Sequence, residues 1–202
     1  MSTTAGADIR DLDARAVRAT VALVSPVTAA DLTRSTPCAG WTLGDLLAHM
    51  TAQHRGFAAA AAGDAGDLAH WQVRPLGDDP AGTYAAAAAE VVTAFHGDDV
   101  PERRFVLPEL ATGHTFPAAQ AISFHFIDYV VHAWDVARSL DRPLEFDPDV
   151  LAAALAVARQ VPDGERRHAP GAAFRPAVPA PPRAGPLDQV VAWLGRSPTW
   201  PA

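Results

Sequence analysis

The sequence predicts an all-α protein: a four-helix bundle with one long crossover before its last helix, then small C-terminal helices and a proline-rich extended segment. Three observations carry this. Four long segments repeat apolar residues every three or four positions, which gathers them on one helical face. A mixed stretch from Arg103 to Phe116, with no such period, separates the third segment from the fourth. Beyond residue 146 the apolar pattern shortens and then gives way to Pro and Gly.

The first helix is expected over Asp8 to Val24, with Ile9, Leu12, Ala16, Val17, Val21 and Val24 on one face and Asp and Arg on the other. Ser25-Pro26 ends it, and Thr28 to Leu32 has the pattern of a short helical turn. Thr42 followed by Asp45 reads as a capping box, so the second helix starts near Leu43. Its core face carries Leu43, Leu46, Leu47, Met50 and Phe57. Two histidines lie on it: His54 near the centre of the apolar face and His49 on its flank. Spacing does not choose between them.

Gly63 to Pro80 reads as a loop holding His70-Trp71, and the third helix runs from about Gly82 to His96. FVLPELATGHTF is either an extended crossover or a weak hairpin. Pro117 opens the fourth helix, which Asp141-Arg142-Pro143 stops after Leu140. Pro148 to Val161 gives a fifth helix. His168 to Pro186 is extended and linker-like, and Pro186 to Leu194 is a short helix stopped by Gly195. The expected division is a bundle over 1–145 and an extension over 146–202 packed on it as one structural unit.

The fourth helix is the unusual one. His125, Asp128, His132, Asp135 and Ser139 are spaced three, four, three and four apart, one continuous polar stripe on an otherwise apolar or aromatic helix. Such a helix is buried, and a buried charge must be paired or coordinate a metal. Asp128 and His132, at i and i+4, can meet at one ion, and a third ligand from another helix would be His49 or His54. Two imidazoles, a carboxylate and an open position is the pattern of catalytic zinc, and Fe, Ni or Mn suit the same set. The competing reading is a polar ladder whose members satisfy one another without an ion. His70, His96, His114 and His168 are expected to be solvent-exposed. Cys38 is expected to be a small buried residue before a helix, since no base stands beside it in sequence.

Bulk properties narrow the partners. Of 202 residues 49% are hydrophobic, enough for a sizeable core, and the net charge of −7 argues against a nucleic-acid or anionic-membrane surface. One cysteine excludes an internal disulfide and a cysteine-rich zinc site. With no signal-like N-terminus and no run of about 18 apolar residues, a cytoplasmic protein is the expectation. A monomer or a homodimer fits equally.

Two segments together resemble a known family. Thr36-Pro37-Cys38-Ala39-Gly40-Trp41-Thr42, with Asp45-Leu46-Leu47-Ala48-His49 after it, is similar to the opening motif of the mycothiol-dependent maleylpyruvate isomerase family. Asp128-Tyr129-Val130-Val131-His132-Ala133-Trp134-Asp135-Val136-Ala137-Arg138 resembles its second motif, and Leu194 to Trp200 resembles the tail of its actinobacterial metal-binding branch. The resemblance implies a DinB/YfiT-like bundle with a divalent metal and a low-molecular-weight thiol, mycothiol or similar. It implies His49, Asp128 and His132 as metal ligands, with Asp where the isomerase has Glu at the first position of the second pair. Asp135 matches an acidic residue thought to assist catalysis, either by orienting His132 or as a base for a bound thiol. Arg138 and Arg196 are candidates to anchor a substrate or cofactor carboxylate. His125 lies outside the pattern, as a further support of the site or a wall of its pocket. The implied activity is thiol transfer or isomerisation of a small electrophile. A metal-binding protein without turnover and a metal-dependent hydrolase are the alternatives.

Overall fold

The computed structural model describes residues 7–64, 66–110, 113–169 and 171–201. Three of the four bundle helices begin where the sequence supplies a side-chain cap. Asp8 accepts the backbone N–H of Arg10 at 2.9 Å and opens α1, Ile9–Val24. Thr42 and Asp45 close the expected capping box, with Thr42 N–H to Asp45 Oδ2 at 2.9 Å and Asp45 N–H to Thr42 Oγ1 at 3.2 Å, and start α2, Leu43–Ala62. Gly63, at φ +85°, takes the left-handed conformation that stops α2.

The third helix, α3, is Pro80–Phe95 and starts two residues earlier than expected. Pro80 takes the first helical position, where its missing N–H costs nothing, and Asp79 caps the turn by accepting Gly82 N–H at 2.9 Å. Between α3 and α4 the mixed stretch resolves as a hairpin: β1, Arg104–Val106, pairs antiparallel with β2, Thr115–Pro117, with Phe105 opposite Phe116. Pro117 is the last strand residue, so it stands just before α4, Ala118–Ser139, rather than at the helix's first position, and its side chain makes no capping hydrogen bond. The C-terminal part adds α5, Pro148–Ala158, and α6, Pro186–Trp193.

In the bundle α1 packs on α3 and α4, and α2 packs on α3 and α4. The main apolar core joins Leu12, Val17, Leu46, Leu47, Met50, Tyr129, Val130 and Val136, and continues into Val150, Ala154, Ala158, Val190 and Leu194 of the extension. A second apolar cluster around Phe57, Trp71, Phe95 and Phe105 fills the end of the bundle nearer the hairpin. Trp71, in a 3₁₀ turn over Leu68–Trp71, lies flat against Gly56, where an added Cβ would stand 2.3 Å from its ring.

The proline-rich segment lies on the body. Val178 N–H bonds Ala192 O at 2.9 Å, and the buried guanidinium of Arg167 donates to the carbonyls of Val161, Pro162, Arg175 and Trp193 at 2.5–3.3 Å. No helix among the described residues is long and apolar enough to cross a membrane.

Candidate metal centre

The ligand pair on α4 is set by helix geometry. Asp128 and His132 are one turn apart on one face, and His132 Nε2 stands 3.4 Å from Asp128 Oδ1. From α2, the His49 ring approaches His132 edge-on, with centroids 5.6 Å apart. Trp41, 39% exposed and 5.0 Å from His49, forms the solvent-side rim.

Among the described residues two groups of three bring their ligand atoms within 4.8 Å of one another: His49–Asp128–His132 and Cys38–His132–Asp135. They share His132, one on each ring nitrogen. The second group already holds a cation. Arg196 donates to Asp135 from Nη2 at 3.1 Å and from Nε at 3.3 Å, and its Nη2 lies 3.4 Å from Cys38 Sγ. Asp135 Oδ2 also accepts from Cys38 Sγ at 3.2 Å and from His132 Nδ1 at 2.9 Å. The guanidinium already supplies the positive charge that a metal ion would bring there. With Nδ1–H of His132 committed to Asp135, Nε2 is the nitrogen that faces His49 and Asp128. A fixed imidazole whose far nitrogen donates to a buried carboxylate is how metal-ligating histidines are held. Two imidazoles and a carboxylate fit a divalent ion of the zinc type.

The electrostatics point the same way. Burial opposes charge on His132, but Asp128 and then Asp135 raise its pKa to about 10. Burial, followed by the His132 charge, holds His49 down to about 4. Burial works against the Asp135 carboxylate too, yet Arg196 and His132 lower its pKa. Two carboxylates thus favour positive charge at the spot where the ring nitrogens converge.

The mycothiol maleylpyruvate isomerase N-terminal domain model matches residues 14–137. Two proteins from two strains of Mycobacterium tuberculosis, both described as uncharacterized, are each 32% identical over 91% of this chain and 94% of their own length. The chain belongs to the mycothiol maleylpyruvate isomerase N-terminal family. Its fold matches the crystal structure of the mycothiol-dependent maleylpyruvate isomerase at TM-score 0.54 and 16% identity, and that of a histidine-to-alanine mutant of it at 0.57 and 15%. Each match covers 78% of this chain and 72% of the other.

Within this family member the polar stripe of α4 divides. Asp128 and His132 meet His49, and Asp135 supports His132 from behind. His125 turns away to Asp13 and His54, with Nδ1 2.6 Å from Asp13 Oδ1 and Nε2 3.1 Å from His54 Nδ1. So His54 belongs to a different group from His49, and among the described residues neither His54 nor His125 joins either ligand group.

Arg138 is not brought to the site: it is exposed on α4, donates to the carbonyl of Trp200 and lies 5.7 Å from the Trp134 ring. Arg196 does reach the site, but its guanidinium is taken up by Asp135. His96, His114 and His168 are exposed, whereas His70 is half-buried and 3.4 Å from Asp64.

Sequence reasoning missed two residues. Cys38 has no base beside it in sequence and is partly buried rather than buried, yet it stands between Asp135 and Arg196; nothing in its own segment signals a carboxylate 97 positions away. Asp13 was assigned to the polar face of α1, yet it is 0% exposed. Its only sequence signal is an unmatched buried imidazole on α4.

Proposed function

We propose that this protein binds a divalent metal, zinc first among the candidates, through His49, Asp128 and His132. We further propose that with mycothiol or a similar small thiol it transfers or isomerises a small electrophilic substrate. The observation that carries the reading is the convergence of three ligand atoms from α2 and α4 within 4.8 Å, beside an imidazole held by a buried carboxylate. Family membership supports the thiol. A divalent ion at this place would stabilise the thiolate form of a bound thiol at neutral pH.

The chain's own residues supply the rest. Asp135 engages Nδ1 of His132, so Nε2 is the nitrogen left for an ion, which would take the place of its proton, and Arg196 keeps Asp135 ionised. Both oxygens of Asp135 are already engaged, which favours the orienting role over that of a base. Trp41 stands beside His49 on the solvent side. In an isomerisation the thiolate sulfur bonds to the electrophilic carbon and the same C–S bond breaks when the thiol leaves, so the thiol is not consumed. In a transfer that bond persists, and the electron pair displaced from the carbon either departs with a leaving group or takes up a proton.

Elemental analysis of protein prepared without a histidine tag tests the metal. One ion per chain is expected, lost in His132→Ala and kept in His96→Ala; a metal-free wild-type protein that takes up none when supplied overturns the reading. Thiol chemistry is tested on the Co(II)-substituted protein, where added thiol should produce sulfur-to-metal charge-transfer absorbance. Turnover that proceeds equally without thiol would instead favour hydrolysis.

A further inference from the structure

The α2–α4 contact carries a second polar group that the proposed chemistry does not use. Asp13 of α1, His125 of α4 and His54 of α2 form one hydrogen-bonded chain across three helices, through contacts of 2.6 and 3.1 Å. All three are buried, at 0%, 1% and 0% exposure. Both imidazoles stack on the Tyr129 ring with centroids 4.1 Å away, and the Tyr129 hydroxyl donates to the carbonyl of Met50. The group sits where the two apolar clusters meet: His125 touches Phe57 and Phe95 on one side and Tyr129 on the other.

As a source of stability this arrangement is poor. Asp13 Oδ2 and His54 Nε2 are buried with no hydrogen-bond partner among the described residues. A partly satisfied buried network is inferior to an apolar core. What such a network does supply is register, because sliding one helix past another would strand further polar groups. Register is what the metal centre needs. Asp128 and His132 are fixed to each other by one turn of α4, so the remaining freedom of the ligand set is the position of α2 against α4. The tether acts beside both: Met50 follows His49, and Tyr129 follows Asp128.

We infer that Asp13, His54, His125 and Tyr129 are positioning residues that lock α2 to α4 in the register the His49–Asp128–His132 set requires. The inference rests on the proposed metal site. Asp13 holds the His125 ring so that Nε2 faces His54, and Tyr129 fixes the backbone next to His49.

The test measures metal affinity by chelator competition and the visible spectrum of the Co(II) form, alongside apo-protein melting. Tyr129→Phe and His54→Leu should each weaken metal binding about tenfold or more, the range for residues that support metal ligands, and should alter the Co(II) bands. His54→Asn, which keeps a polar atom near the Nδ1 position, should recover most of the affinity. Tyr84→Phe is the control: its hydroxyl donates to Thr20 Oγ1 at 2.6 Å, tying α3 to α1 rather than α2 to α4. It should lower the melting temperature without changing affinity or spectrum. Variants that melt lower but bind with wild-type affinity and bands overturn the positioning role. A wild-type protein that binds no metal overturns the metal reading, and this inference with it. If Tyr129→Phe and His54→Leu do not fold, Asp13→Asn against Tyr84→Phe decides: weakened binding in Asp13→Asn alone supports the role, and any other pattern refutes it.

Discussion

Single side chains in this bundle are held by specific opposing charges, so their removal has separable effects. Asp135→Asn leaves the shape nearly unchanged but replaces an oxygen that accepts from His132, Arg196 and Cys38. The His132 ring loses its fixed tautomer, and metal affinity should fall about 10- to 100-fold, as read by chelator competition. His54 gives a different signal. Burial holds its pKa well below the ordinary value, so the folded chain refuses a proton that the unfolded chain accepts below about pH 6.5. Its contribution is intact above that pH and is lost as pH falls, at most about 1.4 kcal/mol per pH unit. In urea titrations between pH 7 and 5, His54→Asn should lose stability less steeply than wild type; equal slopes would mean that His54 takes up its proton in the folded state.

At the scale of the element, α2 and α4 were legible in different degrees. The capping box of Thr42 and Asp45 and the apolar period of Leu43 to Phe57 announce α2, because both signals are local. The polar stripe marked α4 as buried for the same reason. Its division was not legible: which neighbour each polar group faces depends on the packing of α1 and α2, and no spacing within α4 encodes Asp13 or His49. The choice of His49 over His54 came from the motif, since periodicity puts His54 deeper, and there the structure has it at the bundle centre. The loop after α2 hid its packing in the same way: nothing local to His70-Trp71 says that the indole covers Gly56. That contact is a sharp test. Gly56→Ala would set a methyl 2.3 Å from the Trp71 ring, so Trp71 or α2 must shift. Although alanine is the better helix former, the overpacking should cost roughly 1–3 kcal/mol. A denaturation midpoint at or above that of wild type would show that Trp71 moves aside freely.

Across the whole molecule the extension and the bundle share one apolar core, and they share a charge pair as well. Arg196 follows α6, yet it donates to Asp135 in the middle of the bundle, 61 residues earlier in the chain. Docking of the extension and orientation of His132 therefore depend on the same buried carboxylate. Arg196→Met removes the guanidinium and leaves Asp135 charged and uncompensated apart from His132. Breaking a buried pair from one side costs about 3–5 kcal/mol, so equilibrium unfolding should show a large loss. Replacing both partners, Arg196→Met with Asp135→Leu, removes the stranded charge, and most of the lost stability should return. Metal affinity should not return with it, because the double variant still denies His132 Nδ1 its acceptor. Stability and metal binding moving together through both variants would mean that Arg196 serves only to fasten the tail; their separation in the double variant would show that one ion pair links the extension to the site.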